Sequence, residues 1–387
     1  MTIEKLARRA LALALLSLTL CAAARAEGTW VPAEPRHVAP QRLSFYTCAG
    51  RTTVNARFVF PDTGYRVAQP PVVSRSGQTV TLDVRAEEWT EGRLTMIVTF
   101  EKDFDLGPLE PGSYTLVVNS WGSALRTEQF TVRQVAPAAS AIDGGCFFVA
   151  QHYRDFLSRE PDGAGFAFWT GDLDACGADA ACRELKRVNV SAAFFLSIEF
   201  QNTGYYVYRL YRAALGRAAA YAEFAPEAAW LGRRVVVGSD EPWQLRLNSD
   251  KDDFTHAFVG RQEFVARYNG LTNEQYVDKL LETADFPHTR AERDALVADL
   301  TNCPYTIGCP TRATVLRKVV EHPALDRRLF NEAFVRMQYF GYLRRDPDPE
   351  GFRFWLDKLE RFGGDYIAAE MVKAFISSDE YRRRFGQ

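Results

Sequence analysis

The chain reads as a multidomain protein: an all-β, immunoglobulin-like sandwich followed by an all-α domain of about four helical repeats. Three observations carry that reading. From Gln41 to about Val132, short runs rich in Val, Thr, Phe and Tyr alternate with turn signals. After Cys146 the apolar spacing changes to that of an amphipathic helix. One pattern is also written twice, 186 residues apart. Its first copy holds Phe148, Val149, Tyr153, Leu157, Arg159, Pro161, Asp162, Gly165, Phe166, Phe168 and Trp169. Its second holds Phe334, Val335, Tyr339, Leu343, Arg345, Pro347, Asp348, Gly351, Phe352, Phe354 and Trp355. Self-similarity of this kind marks a repeat architecture.

In chain order, residues 1–26 come first. Lys5, Arg8 and Arg9 precede an apolar run from Leu11 to Ala24, and Ala24-Arg25-Ala26 offers small residues for cleavage before Glu27. This is the layout of a secretory signal peptide. The run is too short to span a bilayer comfortably, and a bulky Leu20 before Cys21 argues against lipoprotein processing. Removal takes away Lys5, Arg8, Arg9 and Arg25 against Glu4, moving the formal net charge from −2 to −5. No membrane span is then expected. A mildly acidic chain lacks the basic footprint of a nucleic-acid binder, and Arg382-Arg383-Arg384 suits a solvated helix end.

After an N-terminal segment at 27–40, the sandwich occupies 41–133. Strands are expected at Thr53–Phe60, Thr79–Val84, Leu94–Phe100 and Ser113–Val118, separated by turn signals such as Pro61-Asp62-Thr63-Gly64, Ser76-Gly77 and Pro111-Gly112. About seven strands in some ninety residues fit an immunoglobulin-like module. Residues 134–145, rich in Ala, Pro and Gly, read as a linker. Helical units follow at 146–203, 204–267, 268–328 and 329–387.

In the first unit Val149, Tyr153, Phe156 and Leu157 form one helix face. Asp162 and Asp348 fit helix N-caps, and Pro349 suits the first helical position. Each outer unit closes with a third element, Phe194–Phe200 with Ser197, Glu199 and Phe200 in one and Phe375–Tyr381 with Ser378, Glu380 and Tyr381 in the other. The second unit keeps Tyr206, Val207, Tyr211, Leu215, Arg217, Phe258, Glu263 and Phe264 but replaces the Pro-Asp turn by Ala219-Ala220. The third is fainter, running from Tyr276-Val277 to Leu325. The first unit carries a five-residue insertion where Cys176 and Cys182 lie.

Cysteine counting suits an oxidising compartment, because six of seven remain after Cys21 is removed. Cys176–Cys182, Cys303–Cys309 and Cys48–Cys146 are the favoured bridges among fifteen possible connectivities. Zinc would want shorter spacings and histidines. Chemistry is otherwise hard to find. There is no Gly-x-Ser-x-Gly elbow and no His-Glu-x-x-His. His37, His152, His256, His288 and His322 are read as surface or capping residues. Asp346, Asp348 and Glu350 alternate like the start of a calcium loop, but the first copy replaces them with Glu160, Asp162 and Ala164, so capping is the better account. The Phe and Trp residues of both copies are expected in the core; exposed, they would stack on sugars.

The pattern Arg-x-Pro-Asp-x-x-Gly-Phe-x-Phe-Trp after a Tyr-x-x-x-Leu helix resembles the DUF4214 domain of exported bacterial proteins. So do Val188–Phe200 and Met337–Arg345. The resemblance spans about 146–387 and is strongest in the first and last units. It implies an all-helical module on secreted and surface-associated proteins, with no catalytic residue or cofactor to carry over. Some members resemble phycobilisome linkers, which suits a scaffold. The function expected is a secreted, non-enzymatic binding, adhesion or scaffold protein, its partner a protein or polysaccharide of the cell envelope. The competing expectation is a secreted hydrolase acting on envelope glycans through an unrevealed carboxylate pair.

Overall fold

The computed structural model describes residues 28–68, 70–134, 138–238, 242–302 and 311–386. Backbone proximity divides the chain into two units: one runs to Phe45 and over Gly50–Val132, the other takes Tyr46–Ala49 and Arg133–Gln387. The segment 1–26 and the pair Cys303 and Cys309 lie outside the described residues.

The first unit is an all-β sandwich. Its described strands are β1 (Trp30–Pro32), β2 (Arg42–Cys48), β3 (Arg51–Phe60), β4 (Tyr65–Val67), β5 (Val72–Ser76), β6 (Thr79–Asp83), β7 (Ala86–Trp89), β8 (Val98–Gly107), β9 (Gly112–Ser120) and β10 (Ser123–Val132). They form sheets ordered β10-β9-β6-β5, β2-β3-β8 and β1-β7-β4. Alternation decides which face is buried. Val54, Ala56, Phe58 and Phe60 of β3 meet Leu116 and Val118 of β9 and Val80 and Leu82 of β6 in one core. β9 pairs antiparallel with β10 and parallel with β6.

Two expectations need correcting here. The segment 27–40 is not separate from the sandwich, since Trp30–Pro32 pairs with Glu87–Trp89. The strand expected from Leu94 begins only at Val98. Leu94 and Thr63 instead satisfy each other's backbone, and Met96 N–H turns back to the Leu94 carbonyl. That local bonding leaves Leu94, Met96 and Ile97 exposed.

The second unit is helical. Its helices are α1 (Gly145–Phe156), α2 (Gly163–Asp174), α3 (Ala180–Leu196), α4 (Ile198–Asn202), α5 (Gly204–Leu215), α6 (Tyr221–Gly232), α7 (Trp243–Val259), α8 (Gln262–Tyr268), α9 (Asn273–Ala284), α10 (Arg290–Thr301), α11 (Arg312–Val320), α12 (Pro323–Gln338), α13 (Pro349–Arg361), α14 (Met371–Ser377) and α15 (Asp379–Arg383). A widened π turn, Tyr339–Leu343, continues α12.

α5 is the axis of this unit. Nearly every one of its residues is buried, Arg209 included, whose charge is met by Asp326 at 2.6 Å. Its tyrosines keep their hydroxyls satisfied at the edge of the core: Tyr206 with Thr255 at 2.6 Å, Tyr211 with Glu227 at 2.9 Å. Cys48 is bonded to Cys146, and Cys176 to Cys182. The second half of the expected linker is integral to the unit. Ile142 is fully buried in the helical core, and Asp143 takes both Arg382 Nη atoms at 2.9–3.0 Å.

Candidate functional site

The duplicated residues build one fastener twice. In the first copy Arg159, just past α1, donates from Nε to Glu199 Oε1 at 2.7 Å and from Nη2 to Oε2 at 2.9 Å. It also reaches Asp162 at 3.3 Å, and its guanidinium lies 4.9 Å from the Tyr153 ring centre. Asp162, positioned by Pro161, accepts the Gly165 N–H at 2.7 Å and so caps α2. A Cβ at Gly165 would overlap the Tyr153 hydroxyl, which is why glycine stands there.

The last copy repeats each feature. Arg345 grips Glu380 at 2.6 and 3.0 Å beside Tyr339, and Asp348, between Pro347 and Pro349, caps α13 through Gly351 at 2.7 Å. A Cβ at Gly351 would overlap the Tyr339 hydroxyl. Ser197 and Ser378 cap the closing helices at 3.1 and 3.2 Å.

The second unit rebuilds the fastener with different residues. Arg217 sits 5.2 Å from the Tyr211 ring centre and binds Glu263 at 2.7–2.9 Å. Glu223, at the place of the glycine, takes over from the missing aspartate, binding Arg217 at 2.8 Å and the Ala220 N–H at 2.8 Å. With a side chain there, the Tyr211 hydroxyl goes to Glu227 and Arg261 instead. In the third unit Leu281, Pro287 and Ala324 occupy the Tyr, Arg and Glu places, so all three parts disappear together. Burial pushes the Glu199 carboxyl upward while the Arg159 fork opposes it. Such a group ties the end of α1 to α4.

His152 corrects another expectation, for it is neither at the surface nor a cap. It is fully buried, with Nδ1 at 2.7 Å from the Phe148 carbonyl and Nε2 at 2.8 Å from Ser191 Oγ. A carbonyl only accepts, so Nδ1 carries the proton and Nε2 accepts from serine. Burial pulls its pKa down to about 3, leaving it neutral. His322 does cap, accepting the Ala324 N–H at 3.2 Å at the start of α12. Asp346 accepts the Tyr221 N–H at 3.0 Å. Among the described residues no group of three or more His, Cys, Asp or Glu is placed to hold a metal ion.

The aromatic cluster also departs from expectation. Phe168 is 65% exposed and Phe354 54%, although both were expected in the core. Helical geometry is the reason. Phe166 and Trp169 lie three residues apart and share a face, whereas a residue two places along points away from Phe166. Trp169 and Trp355 are half-buried, with Phe194 and Phe375 behind them at 6.1 and 5.7 Å between ring centres. On the solvent side each meets its exposed phenylalanine edge to face, at 4.8 Å (Phe168) and 5.0 Å (Phe354). The helical unit thus presents the same two-ring surface twice.

A cleft of about 330 Å³ in the helical unit is a further candidate. The start of α3, the Cys176–Cys182 loop, α14, α15 and the turn at Asp143 form its walls. Arg183, Arg187, Lys373 and Arg382 line it against only Asp143 and Glu184. Both acids are engaged, Asp143 by Arg382 and Glu184 by Lys373. The Arg382 hydrogen bonds, working against partial burial, pull the Asp143 pKa down to about 2.

Two family models match the chain. Residues 54–132 match the ORF11 beta-sandwich domain, and residues 324–385 match the domain of unknown function DUF4214. The second match spans the last copy of the fastener; the first copy lies outside it. No curated protein and no solved structure matches the chain.

Proposed function

We propose that this is an exported, non-enzymatic binding or scaffold protein that holds a polysaccharide of the cell envelope. The twin Phe–Trp surfaces carry the reading. Leaving a phenylalanine in water forgoes the free energy of burying it, and the same position is left exposed in both copies. Aromatic rings with a free face suit the C–H faces of sugars, and two surfaces on one chain strengthen attachment to a polymer through avidity. Two disulfides suit an oxidising compartment. Among the described residues no helix is long and apolar enough to cross a membrane.

A glycan hydrolase would need a carboxyl held protonated beside a second acid. The cleft's acids are bound to cations instead, and Asp143 stays ionised. The test is cosedimentation of residues 27–387 with envelope and exopolysaccharide fractions of the source organism. Saturable binding without sugar release is expected, weakened by Phe168→Ala or Phe354→Ala and abolished by both. Because both rings are exposed, the double variant should unfold within about 0.5 kcal/mol of the parent. Undiminished sedimentation of the double variant would refute the reading, and release of sugars would favour the hydrolase.

A further inference from the structure

The cleft beside the Cys176–Cys182 loop has a charge imbalance that the fold does not require. Asp143 and Glu184 are matched by Arg382 and Lys373, which leaves two guanidinium groups over. Arg183 and Arg187 have no carboxylate within ion-pair distance among the described residues. Arg183 donates to the Gly177 carbonyl inside the disulfide loop. Arg187 donates to the carbonyls of Ile142 and Asp143 at 3.0 and 3.3 Å and covers the Phe148 ring at 3.9 Å. Neutral acceptors orient these cations, and the carboxylates that act on them, Asp143 on Arg187 and Asp174 on Arg183, do so from beyond ion-pair distance. Burial makes the charge on Arg187 costly to hold; Asp143 offsets part of that cost, and Arg382 and Arg183 add to it. An anion entering the cleft would relieve that cost.

We propose that this cleft is a binding site for an oxyanion, the carboxylate, sulfate or phosphate of a small ligand or of one unit of a polymer. Its volume lies at the lower end of the range of small-molecule sites. Planar guanidinium forks match an oxyanion bidentately. The disulfide loop, part of the insertion that distinguishes the first unit from the last, supplies one wall and fixes Arg183. The site is independent of the twin aromatic surfaces.

Calorimetric titration of residues 27–387 tests it, with sodium glucuronate, phosphate and sulfate as probes and glucose as the neutral control. The anions should bind and glucose should not, with affinity falling as salt rises from about 0.05 to 0.3 M. Arg183→Gln should weaken binding at least about tenfold. Glu184→Gln should tighten it several-fold, because Lys373 loses its internal partner, and misfolding does not mimic a gain in affinity. Phe168→Ala/Phe354→Ala should change nothing, which separates this site from the polysaccharide reading. Preference for glucuronate would assign the site to acidic sugars, and preference for phosphate or sulfate to ligands bearing those groups. Equal binding of glucose, no binding of any anion below roughly 10 mM, or unchanged affinity in both charge variants would overturn the proposal.

Discussion

The two copies of the fastener make a matched pair for measuring what burial does to an ion pair. Arg159 and Glu199 have side chains 16% and 5% exposed, whereas Arg345 and Glu380 are 41% and 39% exposed. Both arginines fork onto their glutamates, but Arg159 also bonds Asp162 at 3.3–3.4 Å, whereas Arg345 stays 3.8 Å from Asp348. Arg159→Ala strands a carboxylate in the interior, a change that costs about 3–5 kcal/mol. Arg345→Ala leaves Glu380 with access to water and should cost about 0–1 kcal/mol. At a urea dependence of about 3 kcal/mol per molar, the first variant should lower the unfolding midpoint of the helical unit by about 1–1.7 M and the second by no more than about 0.3 M.

The single variant also carries a pH signature. Glu199 is already pushed up by burial and loses its opposing charge, so its folded pKa rises further above the unfolded value near about 4.3. The folded state then binds the proton more tightly. The Arg159→Ala deficit is therefore smallest below about pH 4 and grows as pH rises through the unfolded value towards the folded one. Arg159→Met with Glu199→Leu should recover most of the loss, since both charges leave together. Urea titrations followed by circular dichroism at several pH values provide the assay. Equal losses at the two copies, or an Arg159→Ala deficit that does not change with pH, would refute the reasoning.

Gly165→Ala forces a methyl group against the Tyr153 hydroxyl and should destabilise by about 1–3 kcal/mol. Gly171→Ala, in the same helix with open space around it, should instead stabilise by about 0.5–1 kcal/mol, so thermal melts of the two should move in opposite directions. The Asp143–Arg382 pair depresses the Asp143 pKa to about 2 in the folded state. Its contribution is present above the unfolded carboxylate value near about 3.9 and lost as pH falls towards 2. Arg382→Gln should thus lower the urea midpoint at pH 7, with the gap from the parent closing under acid; a gap that widened would reverse the assignment.

Much of this architecture is legible in the residues. Alternation against a 3.6-residue period separates the β part from the α part, because each periodicity presents a different buried face. Capping chemistry is local in the chain, so Asp162 and Asp348 announce their roles from sequence. The bridges Cys48–Cys146 and Cys176–Cys182 were within reach of counting and spacing. The Arg159–Glu199 partnership was half visible: both residues recur in both copies, but no local rule joins positions forty apart. The simultaneous loss of Tyr, Arg and Glu from the third unit is the sequence signal that reveals them as one device.

Other properties depend on which surfaces meet in three dimensions. A list of aromatic residues does not say which ring faces solvent, and Phe168 differs from Phe166 only by its angle around α2. His152 is buried because α1, α3 and the turn at Tyr342 close over it. The basic cleft gathers Arg183, Arg187, Lys373 and Arg382 from ends of the helical unit nearly two hundred residues apart, and no window of sequence contains them together. What the sequence determined by itself was local: periodicity, caps, glycines and the repeated motif, all set by interactions within a few residues. Solvent exposure and electrostatic imbalance were decided only by the tertiary structure, because both depend on the sum of neighbours brought in from distant parts of the chain.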